Sequence, residues 1–397
     1  MEKVEASTTA KGPLEQKSTW QETAHQMQDY RDESIKRVSP AVPELPEDLP
    51  LDVTSIPRQL LSDEEVRITE LLPEELLSSL ASGHLTSVAV TTAFLRRASL
   101  VQRLTNCITE VLPERALQRA KHLDDYYAEH RKPIGPLHGL PISVKEHVPM
   151  KDLDVNCGFV GYVGRYADED ATILQHLWNA GAVFYARTME PQTVMHLETS
   201  NNIYGETINP FNRKLTSGGS SGGEGALLGL RGSCLGIGTD IGGSIRNPAH
   251  NCGVFGLRPT SYRIPMDGLG LSMEGMEGIL CVAGPLSTSL EGIKIFMKSV
   301  IDREPWLIQP SCIPFPWRDQ QGFLKRKDGK KKLKVAVMWD DGVVKPHPPV
   351  QRALKEVVEK LKAAEDIEVV DWKPYKHDYA WEIIVCVHYL EPVTTHH

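Results

Sequence analysis

The sequence predicts an α/β protein whose core is a mixed, mostly parallel sheet with helices on both faces. Short apolar runs of strand length alternate with longer amphipathic segments along most of the chain, an order typical of strands joined by crossover helices. Apolar residues make up 41% of the 397 residues, which is ample for a sizeable core.

The chain is expected to begin with an arm, residues 1–58, and to continue as one domain, residues 59–397. Residues 1–18 are polar and predicted to be disordered, and residues 20–38 have the sparse apolar positions of a surface helix. Five prolines between residues 39 and 58 predict an extended segment that wraps the surface.

The first half of the domain has a regular series of elements. Ser62 and Thr86 are residue types that cap helix N-termini, so helices are expected to start there. The apolar patterns then predict, in order, a strand at 107–112, a helix at 114–130, a strand at 140–144 that ends beside Lys145, a helix at 171–180 and a strand at 182–186.

The segment at residues 216–260 holds two serine sites between glycines, Ser220–Ser221 in GGSSGG and Ser244 in DIGGSIR. A helix at 224–230 and a strand at 234–239 are expected between them. Glycine lets another backbone or a substrate come close, and neighbouring N–H groups can then point at one place. An acyl-transfer enzyme needs this combination of a nucleophile and oxyanion donors. A flexible Gly/Ser linker would not be interrupted by apolar elements.

The last third is expected to hold strands at 334–339 and 367–372 with a helix at 351–363 between them. The basic run at 325–334 is interpreted as a solvated loop, and not as a nuclear signal or a patch that binds an anionic surface, because a strand pattern follows directly. A net charge of −8 gives no electrostatic case for a nucleic-acid partner.

The cysteine pattern and the absence of long apolar stretches in the sequence indicate the cellular compartment. The seven cysteines are scattered without CxxC spacing, which fits reduced thiols better than a disulfide framework or a zinc site. The sequence has no apolar signal-peptide core and no stretch long enough to span a bilayer. We therefore expect a cytoplasmic protein with no cofactor and no metal.

A serine nucleophile needs a base, and the residues leave its identity open. His147, His196 and His250 are candidates. A lysine can serve only when it is neutral, which requires burial or nearby positive charge. Lys145 follows an apolar strand, so it is either a buried base or a surface residue at a strand end.

Two other motifs compete for the same serines. Residues 218–222 match GxSxG, the nucleophile elbow of α/β-hydrolases, with Ser220 at its centre. The preceding NPFNRKLTS is a poor strand and no HGGG loop is present, which argues against an elbow. GIGTDIGGS lacks the lysine of a phosphate-binding P-loop.

The long motifs of the chain resemble the amidase signature family. The resemblance lies in GLPISVKEH, GGSSGGEGA, GIGTDIGGSIRNPA and CGVFGLRPT, and it extends from about residue 60 to past residue 317. Flanking phrases such as GPLHGLPIS and SNNIYGETINP resemble the fungal acetamidase branch.

This resemblance implies the amidase signature fold and a Ser–cis-Ser–Lys triad. Ser244 falls on the nucleophile, Ser220 on the bridging serine after a cis peptide bond from Gly219, and Lys145 on the base. It also implies an oxyanion hole and supporting groups. The oxyanion N–H groups would come from Ile241, Gly242, Gly243 and Ser244. Asp240 and Arg246 would hold that loop, Ser221 would support Lys145 through a hydrogen bond, and Val194 would line the acyl pocket.

The chain departs from this family in two places. Glu146 stands where relatives commonly have Asp, which is a mild change. Relatives also continue well beyond residue 397, so the C-terminal part of the domain is expected to be missing. We therefore expect this chain, expressed alone, to be poorly soluble or weakly active.

The leading hypothesis is hydrolysis of a small or aliphatic amide, with a homodimer as one expected state of the protein. Alternatives are a fatty acid amide hydrolase-like enzyme for longer acyl amides, the glutaminase subunit of a tRNA-dependent amidotransferase, and an inactive truncated remnant or partner-binding protein. An esterase of the α/β-hydrolase type is a more distant alternative.

Overall fold

The computed structural model describes residues 19–270, 278–319 and 333–389. The chain divides into two compact units, Met1–Glu274 with Cys281–Pro316, and Gly275–Leu280 with Trp317–His397. Residues 1–18, for which the sequence predicts disorder, lie outside the described residues. So do most of the basic run at 325–334 and the closing residues 390–397. The predicted boundary at residue 58 stays a prediction.

Five helices open the first unit, and their starts follow from capping chemistry. They are α1 (Trp20–Lys36), α2 (Ile56–Leu60), α3 (Asp63–Glu70), α4 (Pro73–Ala81) and α5 (Ser87–Thr105). The predicted starts are confirmed, since Ser62 forms a capping box with Glu65 and the Thr86 hydroxyl accepts the Ala89 N–H. These contacts satisfy backbone donors that the first turn of a helix leaves unpaired.

The main sheet of the first unit is mixed and has the order β1-β3-β2-β6-β8-β7. Its strands are β1 (Ile108–Val111), β2 (Pro141–Lys145), β3 (Val183–Thr188), β6 (Leu235–Asp240), β7 (Phe255–Gly256) and β8 (Val282–Ser287), while β4 (Ser200–Asn201) and β5 (Gly205–Glu206) form a separate pair. Parallel pairing is confined to β3, β2 and β6, and the pairs toward both edges are antiparallel. The parallel centre brings the carboxyl ends of β2 and β6 to the same edge.

The remaining helices of this unit pack against the sheet or against each other. They are α6 (Pro113–His130), α7 (Thr172–Asn179), α8 (Gly222–Gly229), α9 (Arg246–Asn251) and α10 (Leu290–Ile301), with short 3-10 turns at Val160–Tyr162, Gln192–Val194 and Pro305–Leu307. Helix α8 is buried from Gly222 to Leu228 and contacts β2, β6 and β8. Such burial is possible because α8 is made of small and apolar residues, Glu224 excepted.

Glu224 attaches the buried helix α8 to the centre of the sheet. Its carboxylate accepts hydrogen bonds from the hydroxyl of Ser143 on β2 at 2.6 Å and from that of Thr188 on β3 at 2.8 Å. Burial raises the pKa of Glu224 to about 7, although both hydroxyl donors act in the opposite direction. A carboxyl group in the core is tolerated because both of its oxygens are bonded.

The second unit holds the parallel strands β9 (Leu333–Val337) and β10 (Ile367–Asp371) with α11 (Pro348–Ala363) and α12 (His377–Tyr389). The strands and α11 agree with the predicted elements. Among its described residues, Val337 and Val358 are the buried apolar ones. Large apolar side chains stay exposed, among them Trp372, Tyr375 and Trp381.

Two expectations about chain class can be compared with the described residues. Within them, no helix combines the length and apolarity needed to cross a bilayer. The six cysteines whose side chains are described, Cys107, Cys157, Cys234, Cys252, Cys281 and Cys312, are all free thiols.

The approach of α8 to the sheet predicts a strict need for glycine at position 223. A Cβ at Gly223 would lie 2.5 Å from both the carbonyl oxygen of Cys107 and the backbone nitrogen of Met189. These backbones are bonded to each other and to Gly223, so they have little freedom to move. We expect Gly223→Ala to lower the free energy of unfolding by about 2 kcal/mol or more.

Gly161→Ala is the matched control, since a Cβ there would meet nothing within 4 Å. Chemical denaturation of both variants provides the comparison. Equal midpoints for the two variants would contradict the close packing of α8.

Candidate active site

Lys145, the last residue of β2, lies in the interior of the first unit. Its side chain is 0% exposed. Its Nζ is 2.7 Å from the hydroxyl oxygen of Ser220 and 3.0 Å from that of Thr239. Thr239 lies near the end of β6, which pairs in parallel with β2, so the two strand ends bring these side chains together. Of the two interpretations of Lys145, the structure therefore supports the buried one.

The burial of Lys145 changes its acid–base behaviour. Loss of solvation disfavours the ammonium and lowers its pKa to about 8, although nearby acidic groups, Glu190 first, act in the opposite direction. About one tenth of the lysine is therefore neutral at pH 7, and about half at pH 8. A neutral amine is the form that can accept a proton.

A backbone hydrogen bond ties the turn that carries Ser220 to the loop that carries Ser244. The Ser221 N–H donates to the Ser244 carbonyl at 3.0 Å, which ties the turn before α8 to the loop after β6. The peptide bond between Gly219 and Ser220 is cis. Ser244 is 5% exposed, whereas Ser220 and Lys145 are at 0%, so Ser244 is the most accessible member of the group.

The loop after β6 is shaped by Asp240. Its carboxylate accepts the N–H groups of Gly243 at 2.8 Å and Ile245 at 3.0 Å, and two bonds of 2.9 Å from the Arg246 guanidinium. Burial alone would raise the pKa of Asp240, but the bonds from Arg246 and the N–H groups outweigh it and lower that pKa. The loop is thus fixed around a carboxylate that stays charged.

This geometry corrects one of the expected oxyanion donors. The Gly243 N–H is bonded to Asp240 and holds the loop instead of facing an oxyanion. Gly243 has φ +130°, a conformation that favours glycine, and a Cβ at Gly242 would meet nothing within 4 Å. Ile241, Gly242 and Ser244 remain as expected donors, with open space in front of Gly242.

The hydrogen bond expected from Ser221 to Lys145 is formed by Thr239 instead. The Ser221 hydroxyl bonds to the backbone N–H and carbonyl of Thr239, both at 3.3 Å. Sequence reasoning missed Thr239, although a hydroxyl at the end of a buried strand beside the serine loop was a usable signal.

The three candidate histidines have different positions. His147 is buried, and its Nε2 lies 2.7 Å from the Thr239 hydroxyl and its Nδ1 2.6 Å from the Gly270 carbonyl. Burial and the neighbouring Lys145 lower the pKa of His147 to about 3. The side chains of His196 and His250 are exposed. His147 therefore contacts the partner of the lysine and neither of the serines.

The segment around residues 196–198 packs against the serine turns. A Cβ at Gly219 would lie 2.5 Å from the His196 carbonyl oxygen, so only glycine fits there. The Leu197 side chain lies 3.5 Å from the Cβ position of Gly243 and is 50% exposed. Val194 is half-buried in the preceding 3-10 turn, and its role in an acyl pocket stays a prediction.

The chain does not form a nucleophile elbow at Ser220. Thr216 forms an isolated bridge with Ile208, and residues 217–221, which make the turn, belong to no strand. An elbow needs a strand that leads into the serine.

Comparison with known proteins agrees with the motifs and the fold. The family model described as Amidase matches residues 89–396. Acetamidases of Emericella nidulans and Aspergillus oryzae are 45% and 44% identical over 328 and 325 residues, in each case 82% of this chain and 59% of the relative. A solved structure of a fatty acid amide hydrolase superposes with a TM-score of 0.85 at 38% identity, covering 93% of this chain and 65% of that one.

The chain thus spans about six tenths of the length of these relatives. The match to the family model over residues 89–396 covers more than half of this chain. The chain belongs to the amidase signature family.

Proposed function

We propose that this protein hydrolyses carboxylic acid amides to the acid and ammonia or an amine. Ser244 is the nucleophile, Ser220 relays protons and Lys145 is the base. The observation that carries this assignment is the buried Nζ of Lys145, which lies 2.7 Å from the Ser220 hydroxyl. Ser221, the residue after Ser220, donates its N–H to the Ser244 carbonyl.

Acylation begins with neutral Lys145. Its lone pair takes the proton of the Ser220 hydroxyl while Ser220 takes that of Ser244, and the Ser244 oxygen bonds to the amide carbon. The oxyanion that forms is stabilised by backbone N–H groups of the loop after β6, the expected donors being those of Ile241, Gly242 and Ser244. These donors are fixed before substrate arrives, since Asp240 and Arg246 hold the loop.

Breakdown of this intermediate uses the relay in reverse. The C–N bond breaks as the proton returns from Lys145 through Ser220 to the departing nitrogen, which leaves as ammonia or amine. Water then attacks the acyl group on Ser244 with the same proton transfers. The acid is released and the Ser244 hydroxyl is restored.

A second candidate is hydrolysis of longer acyl amides. The superposition on a fatty acid amide hydrolase favours this candidate. The higher sequence identity to proteins named acetamidase favours short amides instead. We propose short aliphatic amides as the preferred class.

A substrate panel separates these candidates. We expect kcat/KM to be highest for acetamide and propionamide and to fall for aryl amides and for amides of long acyl chains. The reverse order would favour the second candidate. No turnover of any member, together with no covalent labelling of Ser244, would indicate an inactive remnant.

Ser244 should be the residue that a fluorophosphonate labels. Ser244→Ala is expected to abolish labelling and to lower kcat by several orders of magnitude, on the order of 10⁶ where a serine nucleophile has been dissected. Mass spectrometry of the labelled peptide identifies the site. Label found on Ser220 would contradict the assignment.

Activity should depend on the neutral form of Lys145. Because its pKa is lowered to about 8, the active neutral fraction grows as the pH rises through 8 and is complete about two units above it. Lys145→Arg cannot lose its proton in this range and should be nearly inactive at every pH. The pH profile of kcat/KM measures both effects.

Lys151→Arg, at an exposed lysine six residues away, is the control and should keep the wild-type profile. An active Lys145→Arg combined with an inactive His147→Ala would contradict lysine as the base.

A further inference from the structure

We propose that His147 is a positioning residue that fixes the direction of the hydrogen bond between Thr239 and Lys145, so that the lysine lone pair faces Ser220. This inference rests on the proposed function, in which Lys145 is the base. It gives His147 a task that neither the histidine-base hypothesis nor the triad includes.

The direction of the hydrogen bonds around His147 follows from the Gly270 carbonyl, which can only accept. The Gly270 carbonyl lies 2.6 Å from the Nδ1 of His147, so Nδ1 carries the proton. The Nε2 of a neutral imidazole in this tautomer is an acceptor. The Thr239 hydroxyl, at 2.7 Å from Nε2, must therefore donate to it.

Thr239 has one hydroxyl proton, and His147 takes it. The Thr239 oxygen can then only accept from the Nζ of Lys145, 3.0 Å away. A neutral amine has two N–H donors and one lone pair. One N–H faces Thr239, which leaves the lone pair free to accept the proton of Ser220, 2.7 Å from Nζ.

The same arrangement serves both charge states of the lysine. When Lys145 becomes an ammonium during acylation, its N–H to Thr239 stays in place and neither Thr239 nor His147 has to turn. Donors and acceptors that need no reorganisation during the reaction are an advantage in a buried site. With no acceptor at position 147, the Thr239 proton would be free to occupy the lysine lone pair and to compete with Ser220.

The charge state of His147 agrees with this role. Burial and the adjacent Lys145 keep the imidazole neutral across the range in which the enzyme would work. Lys145 and Arg187 both oppose its protonation, and the bond to Gly270 favours it. His147 thus remains an acceptor toward Thr239.

Two substitutions of His147 by amide side chains distinguish the roles of its two ring nitrogens. His147→Gln has the length to place its amide oxygen near the Nε2 position and so to accept the Thr239 proton. His147→Asn reaches only the Nδ1 position and loses that acceptor. We expect His147→Asn to lower kcat and the rate of fluorophosphonate labelling by about 10- to 100-fold, part of what a general base contributes.

The expected change in KM for His147→Asn is small, since His147 does not touch the substrate. His147→Gln should stay within a few-fold of wild type. Melting temperatures of the two variants test whether packing is equally preserved. Equal labelling rates for the two variants would overturn the inference.

A double-mutant cycle with Thr239→Val adds a readout that a merely structural role would not move. Once the hydroxyl is gone, His147→Asn should cause no further loss, so the two effects should be strongly non-additive. Additive losses would mean that His147 acts through packing and would overturn the proposal.

The outcomes distinguish this inference from the proposed function. Labelling that persists in Lys145→Arg, or wild-type protein without labelling at Ser244, would count against the proposed function itself. An inactive Lys145→Arg combined with a His147→Asn variant as fast as wild type would count against the positioning role alone. Labelling needs one attack of the Ser244 oxygen on the phosphorus of the probe, with loss of fluoride, so slow turnover does not obscure the result.

Discussion

The burial of the Lys145 ammonium at the end of β2 is the constraint on which the rest of the site depends. An amine in water would be charged near neutral pH and could not act as a base. Full burial lowers its pKa to about 8, and the two hydroxyls at 2.7 and 3.0 Å give the amine partners in either charge state. A buried polar group without such partners would be strongly destabilising.

The fold supplies this burial through the parallel centre of its sheet. Strand β2 lies between β3 and β6, so its last residue is covered on both sides. Helix α8 covers it further and is tied to β2 and β3 through Glu224. Gly219 in the serine turn and Gly223 in α8 allow backbones to approach to distances that a Cβ would prevent.

A buried group of charged side chains next to the site, centred on Arg187, forms ion pairs. Arg187 on β3 is buried, and its guanidinium lies 2.7 Å from the Glu110 carboxylate and 3.6 Å from that of Glu146. The Glu146 carboxylate also accepts the N–H groups of Asn156 and Cys157. Glu146 is therefore engaged with the region behind the site, which agrees with a mild effect of the Asp-to-Glu departure. Asp240 and Arg246 perform the equivalent pairing at the loop that carries Ser244.

The sequence by itself determined most of the helices and strands between residues 62 and 240, those at residues 333–371, the capped starts at Ser62 and Thr86, and the motifs around Lys145, Ser220 and Ser244. These features depend on neighbouring residues, whose periodicity and capping act over a few positions. Tertiary structure alone decided that Lys145 is buried, that Thr239 and not Ser221 bonds to it, and that the Gly243 N–H serves Asp240. The contacts of Lys145 join residues 75 and 94 positions apart, and the choice among hydroxyls of similar chemistry depends on strand pairing and helix packing that no local pattern encodes.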